Sequence, residues 1–146
     1  TTPYQKSLDY YDALYAIYKD KDVPAYLERM KRYLASLGED ANGADYASAA
    51  QSLYYAAASK LRPEDHRQAI AWLEKAIPGE TVLMNKINYL VMVGDSYKEL
   101  KDYASARKYY NQAYAESLQL ASMEQAQQVV QASVTYKLAT LELLEK

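Results

Sequence analysis

What most narrows the fold of this chain is a pattern that returns along its length. The segment Leu90-x-x-Val93-Gly94-x-x-Tyr97 is followed by Ala106-x-x-x-Tyr110-x-x-Ala113. One repeat length upstream stand Leu53-x-x-Ala56-Ala57 and then Ala69-x-x-x-Leu73-x-x-Ala76. One repeat length downstream stands Val129-x-x-Ala132-Ser133-x-x-Tyr136, and the start of the chain fits more loosely with Tyr11-x-x-Leu14-Tyr15-x-x-Tyr18, then Leu27 and Leu34. Spacings of three and four place such residues on one face of a helix. A small residue (Gly94, Ala57 or Ser133) lets the second helix of a pair approach, and a large residue one turn away fills the space beside it. Small Ala106 and Ala113 bracket Tyr110 in the same way, which predicts Gly94 and Ala106 in close opposition. A helical hairpin with one apolar stripe cannot bury it alone, so hairpins must stack.

Local signals divide the chain into seven helices. Thr2-Pro3-Tyr4-Gln5 is a capping box with proline at the first helical position, and the helix it opens carries Tyr11, Leu14, Tyr15 and Tyr18 on one face. Asp22 caps a second helix that Gly38 stops. A polar loop leads to a third helix from about Tyr46 to Leu61, broken by Arg62-Pro63. A fourth covers about Glu64 to Ile77 and ends at Pro78-Gly79. Thr81 caps a fifth reaching about Leu100, and a sixth runs from about Asp102 to Leu120. Ser122-Met-Glu-Gln125 is a second capping box opening the last helix. Only 4 Gly and 4 Pro occur, too few for a β-sandwich with many tight turns.

These residues resemble the tetratricopeptide repeat, a two-helix unit of about 34 residues. The unit from Ile87 to Leu118 matches closely, and Lys101-Asp102-Tyr103 resembles the turn between its helices. The second unit departs at Lys60, where the family has tyrosine, and the first at Tyr15, where it has a small residue. The resemblance implies an all-α chain: a right-handed α-α superhelix of about three and a half hairpins and seven helices. These make one domain over 1–146, with hairpins at about 3–38, 45–78 and 81–121 and a final helix at 123–146, expected to be part of a longer protein. A non-repeating helical bundle is the alternative.

Composition removes several classes of function. The formal net charge of −2 gives no electrostatic case for nucleic acid or an anionic membrane surface. No apolar run approaches the roughly 20 residues of a membrane span. Without cysteine there is no disulfide, thiolate zinc site or cysteine nucleophile, and the cytoplasm and an exported location fit equally. His66, the single histidine, reads as a solvated side chain in a first helical turn, beside Glu64 and Asp65 that favour a helix N-terminus. The loop Asp40-Ala-Asn42-Gly43-Ala-Asp45 fails the calcium-loop pattern, with Gln51 where a bidentate glutamate is required. No nucleophile elbow or phosphate loop occurs. The sequence therefore predicts no enzyme, catalytic residue, metal or cofactor.

The 17 tyrosines and absent phenylalanine remain to be explained. A tyrosine ring packs while its hydroxyl needs a partner or water, so these residues suit half-wet seams, and a few could line a recognition surface. In tetratricopeptide-like arrays the first helix of each hairpin lines a concave groove. The resemblance carries that role to Gln51, Tyr54, Tyr55, Ala58 and Arg62, then to Asn88, Val91, Asp95 and Lys98, and finally to Gln127, Val130, Gln131 and Val134. It implies a scaffold that binds a protein or peptide segment; the alternative is a peptide-sensing regulatory domain of a bacterial signalling or transcription regulator. On the last helix Val129, Ala132, Tyr136, Ala139 and Leu143 are expected to pack inward. The second stripe, Val130, Val134, Leu138 and Leu141, is then left for a partner or for self-association, the alternative being that it folds onto the concave face of its own array.

Overall fold

The computed structural model describes residues 2–146. Among them are seven α-helices: α1 Pro3–Tyr18, α2 Val23–Leu37, α3 Gly43–Ala57, α4 Pro63–Ala76, α5 Leu83–Glu99, α6 Tyr103–Ser117 and α7 Glu124–Leu144. The described residues contain no strand, and the chain is all-α. The helices gather into two compact units, the first ending at Ala76 and the second running from Ile77 to Lys146.

Side-chain caps explain most helix starts. The Thr2 hydroxyl accepts from the Gln5 amide at 3.1 Å, and Asp22 accepts from the Ala25 amide at 3.0 Å. At α3 the cap is Asn42, one turn before the expected start. Asn42 accepts from the Asp45 amide at 3.2 Å while Asp45 accepts from the Asn42 amide at 2.9 Å. Two expected caps are corrected. Helix α5 begins after Val82 and not at Thr81, with no side-chain cap. Before α7 the Met123 amide donates to the Leu120 carbonyl at 2.7 Å, closing a 3₁₀ turn that moves the cap from Ser122 to Met123. Helix α3 also stops at Ala57, and residues Ala58–Lys60 tighten into a 3₁₀ turn. With Lys60 in place of an apolar residue, the last turn has nothing to bury.

In the first unit α1 packs on α2, α3 on α4, and α3 also touches α1. Its core is built from Ala13, Ala16 and Ile17 of α1 and from Tyr26, Met30 and Leu34 of α2. Ala49, Ala50 and Leu53 of α3 and Ile70, Trp72 and Leu73 of α4 complete it. Alanines on α1 and α3 bring backbones close, and fully buried Tyr26 fills the space, its hydroxyl donating to the Ala49 carbonyl at 2.6 Å. Burial pushes the Tyr26 phenol well above its ordinary pKa. The stripe read as the packing face of α1 is thereby corrected: Tyr11, Tyr15 and Tyr18 are exposed. Small Ala13 and Ala16 permit closer approach, and tyrosine hydroxyls stay hydrated on the outside.

In the second unit Leu90, Val93 and Gly94 of α5 are buried with Ala106, Tyr110 and Ala113 of α6. Gly94 lies beneath the Tyr110 ring, and a Cβ there would sit 2.4 Å from the ring. Helix α7 closes this unit with the face opposite to the one expected. Val134 and Leu141 are fully buried, Val130 is buried and Leu138 packs against the same cluster, whereas Val129, Tyr136 and Leu143 are exposed. Four aliphatic side chains remove more apolar surface from water than a stripe interrupted by Ala132 and Ser133. Val130, Val134, Leu138 and Leu141 thus belong to the core of their own unit, and the expected self-association through them is overturned.

Candidate functional site

The first unit carries a continuous exposed aromatic face. Along α1, Tyr4, Leu8, Tyr11, Tyr15 and Tyr18 follow spacings of four, three, four and three, so they stand in one row, and all five are exposed. The opposite side of the helix, with Ala13, Ala16 and Ile17, fixes that row's orientation. Tyr18 donates to the Ser52 hydroxyl at 3.4 Å and so reaches α3. Helix α3 adds exposed Tyr55 and half-buried Gln51. Lys21, after α1, donates to the Ala56 carbonyl at 3.1 Å and ties the two helices at that end.

Half-buried Tyr10 supports the row from one side. Its ring meets Tyr11 edge-on at 5.5 Å and Tyr33 of α2 at 5.1 Å. Burial raises the phenol pKa of both Tyr10 and Tyr33. The row itself offers flat apolar rings with hydroxyl rims. It can stack on side chains and bond to a peptide backbone.

The groove residues expected from the sequence divide by unit. In the first, Tyr55 and Ala58 are exposed and Gln51 is half-buried, while Tyr54 lies partly inside the hairpin with its ring 6.4 Å from that of His66. Arg62 is committed to its own helix start, its guanidinium bonding to Asp65 at 3.1 and 3.2 Å. Those bonds push its pKa further up. Asp65, fully buried, also accepts from the Arg62 amide at 2.9 Å. His66 is buried too, which corrects its reading as a solvated side chain: the turn beginning at Pro63 faces inward where Asp65 caps it.

In the second unit the expected groove is occupied by α7. Asn88 is exposed, but Val91 packs against the cluster that holds Val130 and Val134. Asp95 accepts from the Tyr110 hydroxyl at 2.5 Å and from Lys137 at 2.9 Å. Lys98 pairs with Glu99 at 3.6 Å. Gln127 donates to the Ser117 carbonyl at 3.0 Å, and Gln131 to the Ser117 hydroxyl at 3.5 Å. Val130 and Val134, being buried, line no groove.

The sequence reading named Tyr11, Tyr15 and Tyr18 of α1 but gave them to a half-wet seam between helices, not to an open face. The available signal was the use of tyrosine at every ring position of α1, since a dry seam has no need of so many hydroxyls. Among the described residues no three histidines or carboxylates gather in a way that could hold a metal ion, and no helix is long and apolar enough to cross a membrane. Comparison with known proteins finds no matching family model, no similar curated protein and no similar solved structure.

Proposed function

We propose that this chain is a protein-interaction module built from tetratricopeptide-like hairpins, and that its first unit holds a peptide or protein segment along the tyrosine row of α1. The observation that carries this reading is the row itself, with Tyr4, Tyr11 and Tyr15 each more than half exposed on one helix face. Contiguous exposed apolar surface of this kind marks interaction sites more often than chance solvent exposure does. Tyrosine is also the residue type most suited to it, because a rigid amphipathic ring loses little entropy on binding. A segment with two or three apolar anchors would lay those side chains between successive rings while its backbone bonds to the hydroxyls.

The test is a selection from a displayed peptide library, with binders remeasured against Tyr11→Ala combined with Tyr15→Ala. Truncating an anchor costs about 2 kcal/mol or more, so affinity should fall at least about 30-fold. Circular dichroism should show unchanged helicity, because neither ring is buried. Equal binding by both proteins would place the interface on another face.

A further inference from the structure

The outer face of α7 is apolar, uncharged and unpartnered. Val129 is 69% exposed, Tyr136 74% and Leu143 70%, with exposed Ala132, Ser133 and Ala139 between them in the same stripe. From Gln125 to Leu141, more than four turns of helix, the only charged residue is Lys137, which is half-buried against Asp95. A quarter of the whole chain is charged, so this surface departs from the rest.

The same pattern in α5 is covered by α6, where the Tyr110 ring sits over Gly94. Helix α7 has Ser133 in place of that glycine, and a side chain there leaves no seat for an inserted ring. A partner helix on this face therefore cannot set a ring over Ser133 as α6 does over Gly94. We infer that α7 pairs with α7 of a second copy, antiparallel, about a two-fold axis at Tyr136. That arrangement sets Val129 opposite Leu143 and Ser133 opposite Ala139, so large residues meet at the ends and small ones in between. Ala132 faces Thr140, whose hydroxyl already donates to the Tyr136 carbonyl at 3.0 Å and so needs no partner across the pair. The two Tyr136 rings meet at the centre in the room left by the small residues. A parallel pairing would align the helix dipoles, which is unfavourable.

The stripe spans about 21 Å of helix. Such a pair buries on the order of 1,000 Å², the low end for specific interfaces, where reversible association is the rule.

Sedimentation equilibrium of the full chain at micromolar to millimolar concentration tests this directly. The expected result is a reversible dimer that Tyr136→Glu weakens at least about tenfold by placing two carboxylates on the axis. The chain has no cysteine, so single substitutions report geometry cleanly. Tyr136→Cys should oxidise to a disulfide-linked dimer, and Ser133→Cys should cross-link to Ala139→Cys in a mixture far faster than to itself. A chain that stays monomeric, a dimer untouched by Tyr136→Glu, or preferential self-linking of Ser133→Cys would each overturn the pairing. These positions are exposed, and unchanged helicity of every variant guards against unfolding as the cause.

Discussion

In α5, Leu90, Val93 and Gly94 lie buried beneath α6, whereas in α7 the matching Val129, Ala132 and Ser133 stand in water. Both helices carry the same pattern at the same spacing. The difference lies in what else each helix offers. Outside its pattern α5 sets Val91 among polar Asn88, Asp95 and Lys98, and Val91 packs in the cluster that holds Val130 and Val134, so α5 buries its pattern face under α6 and still offers α7 an apolar seat. Helix α7 has a second stripe of four aliphatic residues, and this stripe takes the place against α5 and α6. A repeat pattern thus states which face can receive a partner helix, and the competing apolar area decides which face does.

The sharpest way to break this comparison uses two leucines two residues apart. Leu141 is fully buried and Leu143 is largely exposed. Leu141→Ala should cost about 2–5 kcal/mol, from lost burial and the cavity left behind. Leu143→Ala should stay within about 0.5 kcal/mol when measured where the chain is monomeric. Urea unfolding midpoints check both, and equal losses would mean that α7 buries the other stripe.

A smaller effect separates the two pattern faces themselves. Gly94→Ala drives a Cβ into a ring that cannot swing away, because Tyr110 is fully buried and its hydroxyl is held by Asp95. The expected cost is about 1–3 kcal/mol, even though alanine is the better helix former. Ser133→Ala, at the matching place on α7, should change stability by less than about 0.5 kcal/mol. A tolerated Gly94→Ala would show that α6 does not sit over Gly94 as described.

How much of this was legible in the sequence follows from which forces are local. The seven helices and most of their ends could be read because proline, glycine and capping residues such as Asp22 act within a turn or two. Starts without a side-chain cap, at Val82 and Met123, carry no such signal. Facing was harder. On α1 the residues with the largest apolar rings are outside and the alanines inside, because close backbone approach outweighed ring area. No single-helix argument could choose between the two stripes of α7, since each has helical period and the choice depends on the surface α5 and α6 present. The buried His66 was hidden for a related reason: its neighbour Asp65 reads as a charged surface residue until Arg62 is seen to satisfy it.

The finest test concerns the link between the two helices being compared. Lys137 of α7 donates to both carboxylate oxygens of Asp95 on α5, at 2.9 and 3.2 Å, and lies 6.0 Å from the Tyr110 ring. Both side chains are about a third exposed or slightly less, so water screens much of the attraction. Lys137→Met keeps the aliphatic stem and removes the charge. Asp95→Asn keeps an acceptor for the Tyr110 hydroxyl, so that bond does not confuse the result. A double-mutant cycle from these two should give a coupling of about 0.2–1 kcal/mol, falling as salt rises because the screening length is only about 10 Å at 0.1 M. The aliphatic stripe of α7 would hold the helix in place without this pair, which is why the expected value is small. A coupling of zero at low salt would mean that solvent screening cancels the pair, leaving the aliphatic stripe alone to hold α7 over the groove face of α5.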